Sequence, residues 1–181
     1  MNRMTIVPLA CLALAACNQS SVSLTNASPE EVAKAAKASG AGIQMHPGQW
    51  ETKIEVVSMD MPDMKGMPPQ FAERLKEQLM KPRTITSCMS EEDARQGPSK
   101  AFTGDSKCKF EKYAMTGGAI NATMVCPGPQ GEMKIQMDGN FAADAFTVEQ
   151  TMDATGPTGS MHTKSRASGK RIGDCPAGAK K

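Results

Sequence analysis

From Trp50 to Val56 the side chains alternate, Trp50, Thr52, Ile54 and Val56 against Glu51, Lys53 and Glu55. This period of two predicts a half-buried strand. The same period returns from Lys107 onward, broken by turn residues, and predicts an antiparallel meander. Register tests that reading, because paired positions must keep their apolar residues on one face. A turn at 116–118 sets Cys108 opposite Cys126 and Phe110 opposite Met124. A loop over 127–130 sets Met124 opposite Met133 and Ala122 opposite Ile135. Asp138-Gly139 resembles a type I′ hairpin turn, but that register strands Phe141 on the wet face. A turn over 142–145 instead pairs Phe141 with Phe146, Met137 with Gln150 and Ile135 with Met152. A turn at 156–159 then pairs Ala154 with Met161, Met152 with Thr163 and Val148 with Ala167. On the opposite face Lys134 meets Asp153 and Glu149 meets Arg166, as a solvated surface should.

The helical period appears three times. Ser28-Pro29-Glu30-Glu31 is a capping box with Pro at the first helical position, and the Ala/Lys run behind it stops at Gly40. Residues 68–80 place Phe71, Ala72, Leu75 and Leu79 on one stripe, and Pro82 ends them. Ser90-Glu91-Glu92-Asp93 reads as a capped helical turn, preceded by a short strand through 84–86. Met59 to Met67 is too rich in Pro and Gly for a sheet interior and is expected as an exposed loop. The fold class that follows is mainly β (α+β): a curved antiparallel sheet or partial barrel of about five C-terminal strands plus N-terminal strands. The amphipathic helix at 68–80 is the expected cover.

At the start of the chain the pattern changes again. Asn2-Arg3 precedes an apolar run from Thr5 to Ala13 that is too short to cross a bilayer, and Leu14-Ala15-Ala16-Cys17 resembles a bacterial lipobox. The expected organisation is a lipoprotein signal peptide over 1–16, a lipidated flexible tether with a short helix over 17–43, one β-rich domain over 44–175 and a disordered tail over 176–181. Cys17 is the expected lipid attachment site. Asn18 after it favours the outer membrane, so the chain is expected in the bacterial envelope, facing the periplasm and held to the membrane by its anchor.

Composition narrows the chemistry. The net charge is +2, with no basic stripe, which argues against a nucleic-acid partner. One Trp, one Tyr and five Phe leave a core built largely of Met, Ile, Val and Ala, which would benefit from staples. With Cys11 in the signal and Cys17 lipidated, Cys88, Cys108, Cys126 and Cys175 form an even set. In an exported domain they read as two disulfides, and no Cys-x-x-Cys spacing supports zinc. Sequence alone allows three pairings. The hairpin register selects Cys108 with Cys126 and leaves Cys88 with Cys175.

Function is less legible. The inner sheet face, apolar with polar interruptions at Gln150, Thr163 and Ser165, suits an apolar ligand or an envelope protein partner. As an alternative, Met59, Met61, Met64 and Met67 are spaced closely enough to offer thioethers to copper or silver. Only His46 and His162 could act as imidazole bases, and no nucleophile elbow or phosphate loop is present. The expectation is a binding protein without enzymatic activity or cofactor.

Pro47-Gly48-Gln49-Trp50-Glu51, Cys88 followed by Glu92-Asp93, Cys108, Gly139-x-Phe141 and Arg171-Ile172-Gly173-Asp174-Cys175 together resemble the domain-of-unknown-function 3617 family of exported bacterial proteins. The resemblance runs from about Gln44 to Cys175. It implies an envelope protein with one cysteine-stapled domain, and it carries over no activity and no catalytic residue.

Overall fold

The computed structural model describes residues 20–60, 68–96, 107–128, 131–157 and 159–178. Eight strands form one antiparallel sheet: β1 (Ser21–Ala27), β2 (Gly48–Asp60), β3 (Arg83–Met89), β4 (Lys109–Thr116), β5 (Ala119–Gly128), β6 (Gly131–Phe141), β7 (Ala145–Gly156) and β8 (Gly159–Gly173). Their order is β1-β4-β5-β6-β7-β8-β2-β3, so the sheet does not close and its edges are β1 and β3. Three helices occur among the described residues, α1 (Pro29–Ser39), α2 (Pro69–Met80) and α3 (Glu91–Gln96).

The meander follows the register that burial demands. Phe110 pairs with Met124, Phe141 with Phe146, Met137 with Gln150, Met152 with Thr163 and Val148 with Ala167. One hairpin differs from expectation. Met124 faces Ile135 rather than Met133, and Ala122 faces Met137 rather than Ile135, because β5 and β6 continue to Gly128 and Gly131. The shift is two residues, so every side chain stays on its expected face, and a pattern of period two cannot detect it.

β4 meets a further demand, since Phe110, Tyr113 and Met115 are all buried although 110 and 113 differ by an odd number. A bulge between Phe110 and Lys112 inserts the extra residue. β1 matches it: Leu24 pairs with Tyr113 and Ala27 with Phe110, while Asn26 adopts φ 52° between them. Asn tolerates that left-handed conformation better than other residues with a Cβ.

Two expectations about the cover are corrected. Ser21–Ala27, placed in the flexible tether, forms edge strand β1, with Val22 and Ala27 buried against β4. The helix that seals the core is α1; α2, the expected cover, lies against β2 but has no buried residue. Ser28 N–H donates to Glu31 Oε2 at 2.7 Å and Glu31 N–H donates to Ser28 Oγ at 3.2 Å, completing the capping box, and Gly40 ends the helix at φ 67°. Val32 and Ala36 then join Phe110, Tyr113, Met115, Ile120, Ala122, Met124 and Met137 in one core. Small Ala side chains let a helix backbone approach a sheet closely. α2 buries none of its residues, and Phe71 and Leu79 are exposed. Its N-cap is Pro68, which offers no side-chain hydrogen bond.

Candidate functional site

The inner face therefore has two parts. Beneath α1, the side chains of β1, β4, β5 and the central part of β6 are enclosed. Farther on, the same face continues through Val148, Gln150 and Met152 of β7, Thr163, Ser165 and Ala167 of β8, and Ile54, Val56 and Met59 of β2. Most of these are only half-buried. Thr163 is the exception: it is 7% exposed, lies between Met59 and Met152, and its Oγ1 has no hydrogen-bond partner among the described residues. A buried hydroxyl without a partner costs free energy, on the order of 1–3 kcal/mol, and native structures keep few of them.

The outer face carries the charges. Glu149 accepts from Arg166 Nε at 3.0 Å, and the guanidinium holds the Glu149 carboxyl below the usual carboxylate range. Lys134 donates to Glu111 at 2.7 Å, which raises the ammonium above its ordinary value. His162 pairs with Asp153 on this face, and His46 pairs with Asp144 at a strand end. All four of these side chains are substantially exposed.

Apart from Cys108, which is joined to Cys126 in the core, the outermost segments on which the family resemblance rests, Pro47 to Glu51 and Arg171 to Cys175, meet at one end of the sheet. Arg171 Nε donates to the Pro47 carbonyl at 2.7 Å and its Nη2 donates to Asp174. Trp50 Nε1 donates to the His46 carbonyl at 3.1 Å, and its ring stacks on Phe146, which stacks on Phe141, with centroids 6.0 and 5.6 Å apart. Gly169 opposes Phe146, and a Cβ there would lie 2.1 Å from the ring, so only glycine admits the stack. At Gly48, which has φ 138°, a Cβ would meet the Gly173 carbonyl at 2.5 Å. Only glycine lets β8 end so close to the start of β2. Beside this junction lies a cleft of about 650 Å³, lined by Pro47, Gly48, Met89, Ser90, Arg95 and Cys175 among others. Ser90 caps α3, with Asp93 N–H donating to Ser90 Oγ at 3.1 Å.

The predicted site residues are distributed as follows. Cys108 and Cys126 are joined, with Cα atoms 4.0 Å apart and both residues buried. The expected Cys88–Cys175 bridge is not formed: both are free thiols, Cys88 on β3 and Cys175 two residues past the end of β8, strands that flank the same stretch of β2. The influence of Cys175, together with partial burial, pushes the Cys88 thiol up from its ordinary value. Met59 was expected in an exposed loop, but β2 extends to Asp60 and pairs Met59 with Thr163. Met61, Met64 and Met67 lie outside the described residues, as do Cys17 and the whole of 1–16. Among the described residues no group of three His, Cys, Asp or Glu side chains is arranged to hold a metal, and no helix is long and apolar enough to cross a membrane. Sequence reasoning missed the junction of Arg171 with Pro47, although Gly48 and Gly173 within short polar motifs were its available signal.

The family model described as "Protein of unknown function (DUF3617)" matches residues 45–175. No curated protein and no solved structure matches the chain. The matched span covers most of the chain, which therefore belongs to this family.

Proposed function

We propose that this is a lipid-anchored envelope protein that acts by binding rather than by catalysis, and that it holds an acyl chain with an acidic head on the half-buried part of its inner sheet face, away from α1. The observation that carries the reading is Thr163, a nearly buried hydroxyl without a partner in a strip otherwise lined by Met59, Met152, Val148, Ala167 and Ile54. Binding sites are mostly apolar with a few placed polar groups, and Gln150, Thr163 and Ser165 are such groups here. From Phe146 to Ala154 the strip runs about 25 Å at the usual rise per strand residue, a shape that suits a chain rather than a compact molecule. Arg83, beside Ile54 on edge strand β3, sets a cation at the margin where an acidic head would sit. The lipobox at Leu14 to Cys17 supports the envelope address. Both histidine–carboxylate pairs face solvent and favour surface pairing over acid–base chemistry.

Native mass spectrometry of the protein purified from its own envelope should show a bound lipid. A dansylated fatty acid should bind the delipidated protein, and Met152→Glu should weaken it at least about tenfold by placing a charge in the apolar strip. A clean apo mass together with no probe binding would refute the acyl reading. A co-purifying protein that Met152→Glu releases would assign the same face to a protein partner instead.

A further inference from the structure

Two of the four cysteines in the folded part are buried and already joined, and two, less enclosed, are unjoined and lie at one end of the sheet. Cys108 and Cys126 are each 7% exposed and belong to the core beneath α1. Cys175 is exposed and Cys88 is half-buried. Gln49 of β2 pairs with Cys88 on one side and with Gly173, two residues before Cys175, on the other, so the two thiols lie at the same end of the sheet on either side of one strand, near enough for Cys175 to shift the Cys88 thiol. The close approach at Gly48 and Gly173, and the Arg171 bond to Pro47, fix that end of β8. The open cleft, lined by Cys175 and by Met89 and Ser90, which follow Cys88 in the chain, gives a reactant access to Cys175.

We propose that Cys88 and Cys175 are a reversible dithiol–disulfide couple, oxidised by a disulfide donor that enters through this cleft. Cys175 is the attacking thiol. Its sulfur displaces one sulfur of the donor and forms a mixed disulfide. Cys88 then attacks the Cys175 sulfur, closing the protein disulfide and releasing the second donor sulfur. Two electrons pass from the protein to the donor, and the two thiol protons end on the two donor sulfurs. The order follows from access, since Cys175 is exposed and Cys88 half-buried, and the upward shift of the Cys88 thiol agrees with it, since the thiolate is the nucleophile. Exposed bridges are the exchangeable ones, whereas a bridge enclosed in the core is protected from exchange. Closing the couple would tie edge strand β3 and α3 to the end of β8 across β2, so the redox state of the compartment would set how firmly the cleft wall is held.

The test is equilibration of the purified protein in glutathione buffers of graded ratio, with quenching by a polyethylene-glycol maleimide and peptide mapping. Without denaturant, Cys88 and Cys175 should become alkylatable together in one titration, while Cys108 and Cys126 stay protected until the protein is unfolded. With oxidised glutathione, Cys88→Ser should accumulate an adduct at Cys175, and Cys175→Ser should react at Cys88 at least about tenfold more slowly. Alkylation of Cys88 and Cys175 even in excess oxidised glutathione would overturn the couple, as would all four cysteines opening together or a cross-linked peptide joining any other pair. Equal adduct rates in the two serine variants would overturn the order of attack. The wild-type titration decides the couple even if a variant fails to fold.

Discussion

One half of this sheet is sealed and the other is open, although both present the same kind of apolar strip. Beneath α1, Val32 and Phe110 are each 1% exposed; on the far side Ile85 is 53% and Phe71 57% exposed. The more conspicuous amphipathic stripe belongs to α2, yet α2 buries nothing and α1 makes the core. Sealing follows from how a helix is held. α1 begins in a closed capping box, is preceded directly by edge strand β1, and carries small side chains that admit close packing. α2 has larger apolar residues and no side-chain cap. An apolar stripe shows that a helix can bury a face, while its tethers decide whether it does.

Truncating a side chain in each half separates the two most directly. Phe110→Ala should cost about 3–5 kcal/mol, the range for removing a buried aromatic ring. Ile85→Ala on the open edge should change stability by no more than about 0.5 kcal/mol. Urea denaturation of the two variants measures both. Similar losses would mean that the open half is also packed, and the division into halves would fall.

Next in size is the core bridge. Replacing Cys108 and Cys126 by Ser removes a link with sequence separation 18, for which chain entropy gives about 3 kcal/mol. Calorimetry should show this loss in the sealed half. A loss below about 1 kcal/mol would show that the β4–β5 ladder already supplies the constraint, since measured effects often fall short of the entropic value.

Thr163→Val sharpens the comparison in the opposite direction. The hydroxyl is buried without a partner, so an isosteric apolar group should stabilise the ligand-free protein by about 1 kcal/mol. If the open half binds through this hydroxyl, the same variant should gain less thermal stabilisation from the dansylated fatty acid than wild type. Destabilisation by Thr163→Val in the absence of ligand would show that the hydroxyl has a partner, and the site argument would lose its basis.

The meander was legible because each strand carries a face pattern and each turn carries its own residues. Gly117 and Gly118, both with positive φ, and the pairing of Phe141 with Phe146 left one consistent register. The two-residue slip between β5 and β6 was not legible, because a shift by a full period preserves every face. β1 was missed since Ser21, Ser23, Thr25 and Asn26 read as a polar linker; half of an edge strand faces water, and its inward residues Val22, Leu24 and Ala27 stay in phase only through the left-handed backbone at Asn26, beside the β4 bulge. The choice of α1 over α2 as cover depends on tethers that periodicity does not encode. Of the candidate site, Gln150, Thr163 and Ser165 were placed on the inner face by register alone. That Thr163 would be buried without a partner depends on the packing of Met59 and Met152, which only three dimensions reveal.

The smallest expected effect concerns the cap that holds the sealing helix. The backbone N–H of Ser28 donates to the Glu31 carboxylate, and this bond, seconded by the Ser28 side chain and by the charge of Lys109, holds the Glu31 carboxyl below its ordinary value; slight burial opposes them. A carboxyl whose folded pKa is lowered contributes stability above its unfolded pKa and loses that contribution as pH falls through the folded value. Glu31→Gln keeps an acceptor for the Ser28 N–H but carries no charge. The variant should therefore melt slightly below wild type at about pH 7 and converge with it as pH falls through the lowered folded value and the wild-type carboxyl takes up its proton. α2 has no such side-chain cap, so Glu73→Gln and Glu77→Gln, which remove the same charge from that helix, are the matched controls and should melt with wild type at about pH 7. If they reproduce the Glu31 effect, the acid dependence reflects net charge and not the cap, and the argument that tethering seals one half would need another anchor.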